Sequence, residues 1–159
     1  MTSLMISNKT MRILSKLNLI ASEGDMNIKH AAGLIKSGKL IDYSINSHRS
    51  NYKINGKKFL QCSLHAEVGV IRRLIYNLEK NNKLNNGKMN KYSLIVIRKD
   101  FSNSLPCKHC SNLIKQSGIS KIYYTNGEPE KCILTKTNIK DLKSDHESRA
   151  VTISKKYLS

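Results

Sequence analysis

Three consecutive pieces of the chain decide the fold: Leu94-Ile95-Val96-Ile97, then Pro106-Cys107-Lys108-His109-Cys110-Ser111-Asn112-Leu113-Ile114-Lys115-Gln116-Ser117-Gly118, then Ile119-Ser120-Lys121-Ile122-Tyr123-Tyr124-Thr125. The first is a continuous β-rich apolar run, the pattern of a strand buried on both faces. In the second, Cys110, Leu113, Ile114 and Ser117 form one helical stripe, and Gly118 stands where a helix closes on a left-handed residue. The third reads as another strand. Strand, helix and strand in this order make a unit of an α/β sheet.

The pattern extends outward. Upstream, Val68, Ile71, Leu74, Ile75 and Leu78 recur at helical spacing behind His65, and the helix runs out in the Asn-rich stretch from Asn81 to Asn90. Before that, Ala31 to Ile35 and Leu40 to Ile45 flank Lys36-Ser37-Gly38-Lys39, a turn signal for a β-hairpin. Ile13, Leu14, Leu17 and Ile20 mark a first helix between Thr10 and Ala21, stopped near Gly24. From Ser47 to about Gln61 the chain is polar and basic and reads as a loop. Cys132 to Thr137 reads as a last strand, ahead of a weakly patterned tail. The fold class is therefore α/β: a three-layer α/β/α domain with helices on both faces of one central mixed sheet. With no second-domain linker, 1–159 is expected to be one domain, its core about 8–126 and its tail 127–159 unassigned.

The chain has 159 residues, of which 39% are hydrophobic, enough for one real core. No apolar run approaches the roughly 18 to 20 residues of a membrane span. The first residues lack the apolar stretch of a secretory signal, so the expectation is a cytoplasmic protein with no membrane partner. Its 28 Lys+Arg against 11 Asp+Glu give a net charge of +17. That charge leaves nucleic acid open as a partner. The bias to Lys and Asn also fits A/T-rich codon usage, and the basic residues are spread along the chain rather than clustered.

Chemistry concentrates at His65-Ala66-Glu67 and Pro106-Cys107-Lys108-His109-Cys110, both at expected helix starts. Cysteines at i and i+3 face one way on a first helical turn, and a helix N-terminus favours thiolate. His65, Cys107 and Cys110 would give zinc three protein ligands and leave a fourth position for water, the arrangement of a catalytic site. Glu67 is the candidate proton carrier beside the metal. On an ideal helix residues i and i+2 point roughly 200° apart, so His65 and Glu67 converge only around the helix tip.

These residues resemble the H-x-E and P-C-x-x-C signature of the zinc-dependent cytidine and deoxycytidylate deaminase family. The element order is similar from about residue 8 to 126, and the segment from Leu105 to Ile119 with Tyr123-Tyr124 looks like the deoxycytidylate (CMP/dCMP-type) branch. The resemblance implies one Zn2+ per chain and hydrolytic deamination of the cytosine base of a nucleotide or nucleoside, dCMP-like first, to uracil and ammonia. Glu67 would carry the protons. The Ala66 backbone N–H would bind the pyrimidine carbonyl, Asn46 would contact sugar or base, and the protein would be a homo-oligomer. Where the family usually has Gly two positions before that asparagine, this chain has Ser44, and the Asn or other residue common after H-x-E is replaced around Gly69. Leu105 replaces the glutamate that precedes Pro-Cys in tRNA adenosine deaminases.

Rival readings remain open at this stage. Cys62-x-x-His65 with Cys107-x-x-Cys110 would make a closed structural Cys₃His site. A polynucleotide deaminase acting on RNA or single-stranded DNA would use the charge, and an inactive zinc-stabilised binding protein would use only the fold. Asn51, Tyr52, Lys53, Lys57, Lys58 and Phe59 could grip a phosphate or a base, or be an ordinary solvated stretch. His109 is expected to point outward, His30, His48 and His146 to be surface or satisfied histidines, and Cys132 to pack in a strand.

Overall fold

The apolar run at 94–97 lies in the middle of the main sheet. The computed structural model describes residues 2–3, 6–48, 51–54, 57–60, 64–84, 88–128 and 134–147. In chain order the elements are β1 (Thr2–Ser3), α1 (Asn8–Ser22), β2 (His30–Lys36), β3 (Lys39–Ile45), β4 (Asn51–Ile54), β5 (Lys57–Leu60), α2 (Ala66–Lys80), β6 (Tyr92–Arg98), α3 (Lys108–Ser117), β7 (Lys121–Thr125) and β8 (Leu134–Asn138). Six strands make one sheet in the order β1-β8-β7-β6-β2-β3. Among the described strands only the β6–β7 pair is parallel, and it is the pair that α3 bridges, as a crossover connection requires. The other neighbours are antiparallel, so the sheet is mixed.

Alternation along β6 explains why its sequence is apolar throughout. Ile95 and Ile97 face α1, packing with Leu14, Leu17, Ala21 and Ala31. Leu94 and Val96 face the other way, onto Val68, Ile71 and Leu74 of α2 and Leu113 and Ile114 of α3. Both faces are dry, so neither tolerates a polar side chain, and each fully buried Leu or Ile contributes about 1.5–3 kcal/mol. The result is the three-layer α/β/α architecture expected from the alternation of patterns.

The β2–β3 hairpin turns at Ser37 and Gly38, both at positive φ (50° and 70°), the conformation that two-residue hairpin loops prefer. Gly118 ends α3 at φ 85°, in the place the sequence assigned to it. Two elements differ from expectation. The segment read as a loop contains a second hairpin, with Tyr52 opposite Phe59 and Lys53 opposite Lys58. The Ser47–Leu64 bridge closes its base. The last described strand is Leu134–Asn138, and an unanticipated strand, β1, pairs with its outer edge. Cys62 and Cys132 lie outside the described residues. Among the described residues no helix is long and apolar enough to cross a membrane.

Candidate functional site

His65 is not inside α2; it is the residue before it. Its backbone is extended (φ −72°, ψ 150°), and Ala66 is the first helical residue. The ideal-helix angle between i and i+2 therefore does not apply. His65 Nδ1 lies 3.2 Å from Cys110 Sγ and 3.6 Å from Cys107 Sγ, while Glu67 hydrogen-bonds the same Cys110 thiol. Cys107 holds the equivalent place before α3, with φ −67° and ψ 165°. Two helix starts thus meet tip to tip.

The three donor atoms lie within 4.8 Å of one another. Tetrahedral zinc with usual bond lengths holds a nitrogen and a sulfur about 3.6 Å apart, close to both distances here. One imidazole and two thiols are also a donor set suited to zinc. The residues fit the metal. Cys110 is fully buried, Cys107 is 4% exposed, and Glu67, at 6%, is a carboxyl group with little access to water.

The protons in this cluster are shared unevenly. The Cys110 thiol, then His65, hydrogen-bond to Cys107 and bring its pKa down to about 3. Cys110 moves far up, because it gives that bond, is buried, and faces Glu67. Burial raises Glu67. Burial would lower His65, but its bond to Cys107 and the charges of Glu67 and Cys107 outweigh this, and it rises. A divalent cation among these groups would displace protons and bind thiolates and neutral imidazole instead.

The loop that carries Cys107 is tied to the strand ends. Ser104 Oγ donates to Val96 O (2.7 Å) and accepts from Thr125 N (2.8 Å), and Ser104 N donates to Thr125 O. Thr125 Oγ1 donates to Ser102 O at 2.6 Å. Ser104 and Thr125 are both buried, so this network sets where the Pro106-Cys107 step begins. Neither residue was marked by the sequence, because their partners are backbone groups far along the chain.

Asn46 is buried at the end of β3. Its Oδ1 accepts from His30 N (2.9 Å) and its Nδ2 donates to Ile28 O (2.6 Å), which ties the start of β2 to the end of β3. An amide has a second donor hydrogen and a second acceptor lone pair beyond those two bonds. Ala66, fully buried, occupies the first turn of α2, where backbone N–H groups point out of the helix. His30 is lowered to about 4 by burial, then Arg98, then His65. His48 and His146 are exposed, whereas His109 is half-buried. The closed four-ligand alternative involves Cys62, outside the described residues. Ser44 and Gly69 face each other: a Cβ at Gly69 would come within 2.3 Å of Ser44 Oγ. The two departures from the family pattern are thus one contact.

The chain is similar in structure to a cytidine deaminase from Burkholderia pseudomallei, with a TM-score of 0.57 and 13% identity over 86% of this chain and 98% of that one. It also aligns with a dCMP deaminase from the cyanophage S-TIM5 in complex with dCMP and dUMP, at a TM-score of 0.49 and 19% identity over 76% and 83% of the two chains. Among curated protein sequences none matches it. The first likeness supports the fold. Residues 6–126 match the model of the cytidine and deoxycytidylate deaminase zinc-binding region, a span that contains both helix starts and all three donors. The chain belongs to the cytidine and deoxycytidylate deaminase zinc-binding family.

Proposed function

We propose that this chain is a zinc-dependent hydrolase that deaminates the cytosine base of a free nucleotide or nucleoside, dCMP-like first, working as a single catalytic domain. The observation that carries the reading is a buried carboxyl, Glu67, against three converged donors. A structural zinc site needs no such group, and burying a carboxyl costs stability that its hydrogen bond to Cys110 offsets only in part. His65, Cys107 and Cys110 would hold the metal. Bound zinc acts as a Lewis acid and brings the pKa of a water to about 7.

The remaining work belongs to the chain. Glu67 takes a proton from the attacking water, delivers it to N3 of the base, and passes the second proton to the departing amine. The C4–N bond breaks, C4 keeps the water oxygen as the uracil carbonyl, and ammonia leaves. The Ala66 N–H is the proposed donor to the pyrimidine carbonyl, and the uncommitted valences of Asn46 are proposed for sugar or base. Burial around Cys110 and Glu67 excludes competing water.

The test is ammonia release from cytidine, CMP, dCMP and short single-stranded oligonucleotides, beside Glu67→Gln. Release from a mononucleotide or nucleoside, cut about 10²- to 10⁴-fold in Glu67→Gln with zinc retained, is the expected result. The charge of +17 favours a second reading, a polynucleotide substrate. Turnover confined to the oligonucleotides and falling steeply with salt would select it. Full metal loading with no release from any substrate would overturn both in favour of a binding protein.

A further inference from the structure

The segment after β8 lies outside the part of the chain that matches the family, yet its described residues reach the start of α3. Ile139 and Leu142 are buried and anchor it in the core packed around α2 and α3. Two residues on, Ser144 Oγ donates to the carbonyl of Pro106 at 2.6 Å. The His146 carbonyl then accepts from Lys108 N at 3.0 Å. His146 Nδ1 stands 3.3 Å from the same Ser144 hydroxyl.

These bonds bracket Cys107. The Pro106 carbonyl belongs to the peptide plane that leads into Cys107, and Lys108 N belongs to the plane that leaves it. A helix start leaves its first N–H groups without intrahelical partners. Here Cys110 N uses the Cys107 sulfur (3.5 Å) and Lys108 N uses the tail. With the planes on both sides fixed, the direction of the Cys107 Cα–Cβ bond is set, and its sulfur lies 3.6 Å from His65 Nδ1 and accepts from Cys110 N.

We propose that Ser144 is a positioning residue for the metal site: by holding the Pro106–Cys107 peptide it sets the affinity of the His65, Cys107 and Cys110 donors for zinc. The inference rests on the reading of those donors as a zinc site. Groups that orient metal ligands from outside the coordination sphere typically change affinity by 10- to 100-fold when removed, and one bond to the backbone belongs at the lower end.

The test compares Ser144→Thr with Ser144→Val in the full-length chain, two side chains of one shape that differ in the hydroxyl. Zinc affinity is read by competition with a chromophoric chelator, and ligand geometry by the cobalt(II) absorption spectrum. The expected result is a parent-like Thr variant, and a Val variant that binds zinc about tenfold more weakly with a shifted cobalt spectrum. Ser7→Ala, which removes the cap of α1, serves as a control that loses stability without changing either readout. Thr and Val variants within twofold of each other in zinc affinity, with the same cobalt spectrum, would overturn the role of Ser144. A parent chain that binds no zinc would overturn the site reading as well.

Discussion

The three long helices among the described residues start from the same backbone conformation and do different things with it. Ser7, His65 and Cys107 precede α1, α2 and α3 with φ of −67°, −72° and −67° and ψ of 155°, 150° and 165°. Ser7 behaves as a cap should, its hydroxyl accepting from Thr10 N at 3.2 Å. His65 makes no side-chain cap bond, and Cys107 makes only the long sulfur contact to Cys110 N. At two of the three starts, a position that usually stabilises a helix is occupied by residues able to hold a metal. The extended residue before a helix aims its side chain past the helix tip, so two such residues on facing tips can share one ion.

If the comparison is right, metal should matter more to stability than any single cap. Zinc at a free concentration a thousandfold above its dissociation constant adds about 4 kcal/mol. For a chain of this length that raises the melting temperature on the order of 10 °C over chelated protein, as scanning calorimetry would register. Cys110→Ala should abolish the rise.

Histidines sharpen the contrast, since His65 is raised and His30, at the start of β2, is lowered. His30 has a folded value of about 4 against 6.5 unfolded, so the unfolded chain binds the proton more readily. Its contribution is therefore complete above pH 6.5 and is lost as pH falls toward 4, by about 3 kcal/mol in full. In denaturant melts the stability of the parent minus that of His30→Gln should fall by that amount as pH drops through the window; a constant difference would count against it.

Smaller effects probe the caps directly. Ser7→Ala should cost about 1 kcal/mol with or without zinc. His65→Ser should lose metal binding, and in chelated protein the cap it gives α2, about 1 kcal/mol, should offset part of what the lost bond to Cys107 costs. A chelated His65→Ser less stable than chelated His65→Ala would show that a serine there gives α2 no cap.

Much of this was legible in the sequence. Helix spacing marked α1, α2 and α3, and the unbroken run at 94–97 announced a strand covered on both faces. The donors were legible because each pair sits within one local motif. Other features needed the third dimension. The approach of His65 to Glu67 depended on where α2 begins, a difference of one residue that periodicity does not fix. The β4–β5 hairpin was hidden by its lysines, although Asn55-Gly56, the dipeptide most favoured in tight hairpin turns, stands between its strands in the sequence. Ser104, Thr125 and Ser144 act on backbone groups distant in sequence, and a lone Ser or Thr carries no pattern that reports this.

The strand order has a consequence for timing. β2 pairs with β6, Gly33 opposite Ile95, so the centre of the sheet closes only after everything between them has been made. His65 lies inside that loop, and the thiols lie beyond it. Thr125, which fastens the Cys107 loop through Ser104, is later still, at the end of β7. Contacts of such sequence separation form late, because the entropy of closing the chain is spent before they reward it. A metal held by all three donors would therefore be captured only after the centre of the sheet has closed, so that zinc uptake during refolding would time a late long-range step rather than a first nucleus.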